Sequence, residues 1–176
     1  MKSHSFSHVA LTVADFNRSV RFYRDVFGAT LVGVTTEHPT DRLQDFFGVE
    51  SDDPSLKIGW LRFPGGAVAE IFEFTPGLPA EEVVWNRQGI THYSLNVRGT
   101  ERWHDHCVKK GVEIVAPPLQ SPKGHTFFFV KDPDGNLIEL IDNKHMRPIL
   151  KWLGPFGGWV FRHTMYKRYY QPSAEG

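Results

Sequence analysis

From residue 6 to 13, FSHVALTV, the chain alternates with a period of two. His8, Ala10 and Thr12 fall on one face and Val9, Leu11 and Val13 on the other, which predicts a strand. The period then lengthens. Val20, Tyr23 and Phe27 recur at helical spacing over 19–27, with Asp15 ahead of them as a cap and Gly28 behind as a stop. Residues 30–36, 57–63 and 67–74 read as three further strands, the last two joined by a turn at Pro64-Gly65-Gly66. Between them, residues 38–54 are polar and turn-rich around Phe46 and Phe47. They predict a long loop with a short helical turn, and loops of that length in compact domains are often functional. Residues 76–87 lead into the second half.

There the pattern restarts. THYSLNV (91–97) repeats the character of SHVALTV (7–13), so that His92 follows His8 by 84 positions. A helix over 101–110 carries Arg102 where the first carries Arg18, and it stops at Gly111 as the first stops at Gly28. Strands follow at 112–116, 126–131 and 137–142. Before the last of these, Asp132-Pro-Asp-Gly-Asn136 is a turn, since Pro133 presets φ and Gly135 accepts a positive one. The predicted class is therefore α+β: a βαβββ module over 1–85, a second over 86–145, and a C-terminal extension over 146–176. Two such modules sharing a core are expected to form a curved mixed sheet around a cleft, with equivalent positions facing a common centre.

Composition narrows this little. Hydrophobic residues make up 40%, charged residues 23%, and the formal net charge is +0, so no global field draws the chain to nucleic acid. The single cysteine, Cys107, excludes an internal disulfide and points to a reducing compartment, hence a cytoplasmic protein. MKSHSFSHVALTV has no signal-peptide core.

Each module's first strand bears a histidine and its last strand a glutamate: His8 and Glu70, then His92 and Glu139. A carboxylate inside an apolar strand such as LIELI needs water, a partner or a metal. Two imidazoles and two carboxylates suit one divalent ion: zinc, nickel, cobalt, manganese or iron. A lone strand histidine or glutamate is ordinarily structural or solvent-facing; the recurrence in both modules is what favours ligation. Glu73, an odd offset from Glu70, should face the other side of its strand.

The paired modules, the Gly89-Ile-Thr-His92 start of the second and the DPDGNLIEL ending resemble the vicinal oxygen chelate superfamily, which includes glyoxalase I, methylmalonyl-CoA epimerase, bleomycin-binding proteins and extradiol dioxygenases. The resemblance covers 6–143. The His, Glu, His, Glu order is similar to that of glyoxalase I and implies metal ligation by His8, Glu70, His92 and Glu139, with Glu139 and Glu70 also as catalytic bases. It implies a metal-dependent lyase, isomerase or epimerase that chelates adjacent oxygens of a small substrate and stabilises an enediolate or enolate. An iron(II) dioxygenase using His8, His92 and Glu139 and a non-catalytic binding protein are the alternatives. It also implies a homodimer, and leaves open whether one chain or two close each site.

Further candidates are His38, Asp41 and Arg42, as a lid whose arginine grips a substrate anion, and Lys123 and His125, ahead of the penultimate strand; a solvated surface is the ordinary role for all of these. His104 and His106, two apart on a helix, do not face each other, and Trp103 and Cys107 form that helix's buried stripe. The extension holds seven aromatic residues from Trp152 to Tyr170, with five Lys or Arg against Glu175. It reads as an arm packed on the fold or a second subunit, as a lid, or as an interfacial anchor; packing is expected and membrane contact is not.

Overall fold

A computed structural model describes residues 3–38, 42–122, 124–143 and 152–170. Lys123 and Asp41 lie outside these residues. The first module runs β1 (Val9–Thr12), α1 (Phe16–Phe27), β2 (Thr30–Glu37), a π-helical turn (Arg42–Phe46), β3 (Ser55–Arg62) and β4 (Val68–Thr75). The second runs β5 (His92–Asn96), α2 (Thr100–Lys109), β6 (Ile114–Gln120), β7 (Thr126–Lys131) and β8 (Leu137–Asp142). A short helix, α3 (Gly154–His163), and a 3₁₀ turn (Lys167–Tyr170) follow.

The predicted α1 signals act as expected. The Asp15 carboxylate accepts the Arg18 amide at 2.8 Å, and Gly28 takes a left-handed φ of 69° that a Cβ would disfavour. The helix starts three residues earlier than its periodicity indicated, because Phe16 and Ser19 are buried on its inner face.

The expected mixed sheet is present as two four-stranded mixed sheets, ordered β1-β4-β3-β2 and β5-β8-β7-β6. In each, the first and last strands of the module run side by side and parallel. This topology makes neighbours of residues more than forty positions apart, Ala10 beside Glu70 and Ser94 beside Glu139.

Both sheets turn their helix-bearing faces to one shared core. Leu11, Ala69 and Ile71 from the first sheet join Phe128, Ile138 and Leu140 from the second, with Phe16, Tyr23 and Phe27 of α1 and Cys107 of α2. Phe27 stacks on Trp103 at 6.2 Å, and His106 donates its ring N–H to the Val26 carbonyl at 3.0 Å. The 132–136 turn fastens the modules together. Asp132 accepts the Tyr23 hydroxyl at 2.6 Å and the Asn136 amide at 2.8 Å. Asp134 accepts Arg18, Ser19 and the Ala14 amide. Burial, together with the Asp132 carboxylate, holds the Tyr23 and Tyr93 phenols well above their ordinary range.

Candidate metal centre

Strand alternation decides where the site lies. Ala69 and Ile71 are fully buried in the shared core, so Glu70 between them faces the open side of its sheet. Glu139 stands likewise between the buried Ile138 and Leu140. On the open face of the first sheet, His8 Nε2 lies 3.3 Å from a Glu70 oxygen. On that of the second, His92 Nε2 lies 3.7 Å from a Glu139 oxygen. The side chains of the two pairs are 30% and 14% exposed in one and 29% and 15% in the other, so the two pairs are equally accessible.

The repeat extends to residues that sequence reasoning did not single out. Ser7 and Thr91, each one position before its histidine, hydrogen-bond Nδ1 at 3.0 Å. That contact orients each ring with Nε2 toward its glutamate, the arrangement that fixes tautomer in metal-binding histidines. Trp60 packs edge-on to His8 at 5.0 Å and Phe129 edge-on to His92 at 5.2 Å. Both stand opposite their glutamate on the adjacent antiparallel strand. A third match is Phe6 and Ile90, two positions before each histidine, 87% and 86% exposed. The signal for all of these was the 84-residue offset, applied to neighbours as well as to ligands.

One departure breaks the symmetry. Ser94 donates its hydroxyl to Glu139, whereas the position beside Glu70 is Ala10, which has none.

Within one chain the four residues do not meet. Each pair is on the face turned away from the shared core, and among the described residues no group of three or more His, Cys, Asp or Glu is placed to hold a metal. The expected single centre of four ligands is not formed within one chain; the described residues give two separate His–Glu pairs. The donor chemistry of each still fits a divalent ion: an imidazole with its second nitrogen anchored, beside a carboxylate, on rigid strands.

The remaining candidates are more scattered. His38 is exposed. Arg42 holds Glu37 at 2.7 Å and lies 5.4 Å over the Phe47 ring. His125, one residue before β7, donates its backbone N–H to the Ser121 hydroxyl at 3.1 Å. Cys107 is buried in the core, which pushes its thiol up to about 11.

Residues 5–140 match the family model described as the glyoxalase/bleomycin resistance protein/dioxygenase superfamily. The chain belongs to this superfamily. A probable lactoylglutathione lyase of Vibrio cholerae is 31% identical over 147 residues, spanning 82% of this chain and 94% of that protein. A lactoylglutathione lyase of Haemophilus influenzae is 29% identical, spanning 78% and 91%. A glyoxalase family protein of Bacillus cereus has the same fold, with a TM-score of 0.67 at 18% identity over 81% of this chain and 95% of that one. Within the glyoxalase superfamily, these relatives place the chain among enzymes of glyoxalase type. No described helix is long and apolar enough to cross a membrane.

Proposed function

We propose that the protein is a metal-dependent lyase, isomerase or epimerase acting on a small substrate with two adjacent oxygens, and that its site is completed by a second copy of the chain. The observation that carries this is the duplicated His–Glu pair, each with its hydroxyl on Nδ1, on two outward faces that one chain cannot bring together.

A two-fold dimer pairs unlike patches reciprocally: the first-sheet face of one copy meets the second-sheet face of the other, twice. That gives two equivalent centres of His8 and Glu70 with His92 and Glu139 of the other copy. The exposed Phe6 and Ile90 beside the half-sites are the apolar contacts such an interface would bury.

His8, Glu70, His92 and Glu139 would hold zinc, nickel, cobalt, manganese or iron(II). When bound, the ion supplies Lewis acidity toward the substrate's adjacent oxygens. The protein's own part is proton transfer. Ser94 fixes Glu139, which suits it to a steady ligand role. Glu70 has no such hydroxyl beside it and is better placed to take a proton from one carbon and return it to the next. Trp60 and Phe129 pack against the histidine rings.

Sedimentation and elemental analysis together test the reading. The purified protein should be a dimer carrying one divalent ion per chain. Phe6→Asp with Ile90→Asp should give a folded monomer that loses the ion. A monomer that keeps its full metal content would overturn the shared site.

A further inference from the structure

The open face of the first sheet does not end at His8 and Glu70. Thr12, on the same side of β1 as His8, and Phe74, on the same side of β4 as Glu70, continue it toward a groove of about 590 Å³. The loop after the π-helical turn roofs this groove. Phe47 packs against Phe72 at 6.2 Å and Phe74 at 5.6 Å, and Val49 and Glu50 follow it along the wall. Leu78 also lines it. The volume lies in the range of small-molecule sites, roughly 300–1,000 Å³. Thr12 lies four positions along the chain from His8, a span of roughly 13 Å at about 3.3 Å per residue.

The charge of the lining restricts what it can hold. Among the described residues that line it, the one ionisable member is Glu50. Arg42, the cation nearest in sequence, already faces Glu37 at 2.7 Å and covers the Phe47 ring. A carboxylate-bearing peptide or an acyl phosphate would meet an anion there, with no cation among the described lining residues to receive it. A neutral aromatic or branched-alkyl group would instead bury against Phe47, Val49, Phe74 and Leu78.

We infer that this groove binds a neutral aryl or branched-alkyl end of the substrate, whose adjacent oxygens lie at the His8–Glu70 end of the same face. The placement of the oxygens rests on the proposed function; the groove and its charge do not.

Hydroxamates provide probes, since each presents two adjacent oxygens and the tail can be varied. Titration calorimetry on the full, metal-loaded protein would compare acetohydroxamate, a phenylalkyl hydroxamate and a carboxyalkyl hydroxamate of equal length. A fourth probe, the phenylalkyl primary amide, keeps the tail and lacks the chelating head. The phenylalkyl hydroxamate should bind at least about tenfold tighter than acetohydroxamate, as burial of one ring implies, and the carboxyalkyl probe no tighter. Leu78→Ala, at an exposed position that the fold does not need, should remove several-fold of that gain from both phenyl probes and leave acetohydroxamate unchanged. Glu50→Lys should reverse the order of the phenyl and carboxylate tails. A wild-type preference for the carboxylate tail, or a phenyl gain untouched by Leu78→Ala, would overturn the inference. If acetohydroxamate fails to bind, the metal reading fails, and the amide still decides the groove.

Discussion

Tyr23 of the first module donates its hydroxyl proton to Asp132 of the second at 2.6 Å, and both side chains are buried. The Tyr93 hydroxyl donates in turn to Tyr23 at 2.8 Å. The carboxylate also accepts the Asp134 and Asn136 amides, so one residue shapes the turn and joins the modules. Tyr23→Phe removes the donor and leaves that carboxylate short of a partner, which should cost about 1.5–3 kcal/mol. Equilibrium urea unfolding measures it. The half-sites lie on the opposite faces, so metal content should not change.

Glu139→Gln and Glu70→Gln should separate holding from proton transfer. Replacing Glu139, which Ser94 anchors, should strip the divalent ion and abolish turnover while the circular dichroism spectrum stays native. Replacing Glu70 should leave more metal bound but stop exchange of the α-proton of 2-hydroxyacetophenone with solvent deuterium. Full exchange in the Glu70 variant would remove it from the proton path.

The residues behind the ligands give a subtler readout. Ser7→Ala and Thr91→Ala each free one Nδ1. Loss of such an outer contact should lower metal affinity about 10–100-fold. Competition with a fluorescent chelator reads this directly, and both variants should lower the affinity.

Cys107 supplies a pH signature of the core. Burial raises its thiol from 9.0 to about 11. The folded state therefore keeps its proton where the unfolded chain loses it. The stabilisation is fully present below pH 9 and falls as pH rises toward 11. Cys107→Ala should flatten that part of the stability profile, and the native thiol should resist aromatic disulfide reagents at pH 8 until the protein is unfolded.

Gly59 of β3 packs directly under Phe16 of α1. A Cβ there would sit 2.4 Å from the Phe16 ring. Gly59→Ala should destabilise the first module by about 1–3 kcal/mol through overpacking, visible as a lower unfolding midpoint. Phe16→Leu should recover part of it if the clash is the cause.

Much of this was legible in the chain itself. Period-two and helical runs located every strand and helix of both modules to within a few residues. Asp15 and Gly28 marked the ends of α1 because capping is a local matter of backbone dihedrals and one side chain. The 84-residue offset exposed the duplication and, with it, His8, His92, Glu70 and Glu139. Local pattern could not show that Asp132 and Asp134 clasp α1, since their partners lie 109 to 120 positions away.

Alternation along a strand divides residues into two faces, and the sequence by itself determined that each module carries a histidine on its first strand and a glutamate on its last. Only the tertiary structure decided which face goes inward. Burying Ala69, Ile71, Ile138 and Leu140 against both helices gives one continuous apolar core. That choice turns the two polar faces outward and apart. Core burial is settled by the sum of contacts between distant segments, and no single strand's pattern carries that sum.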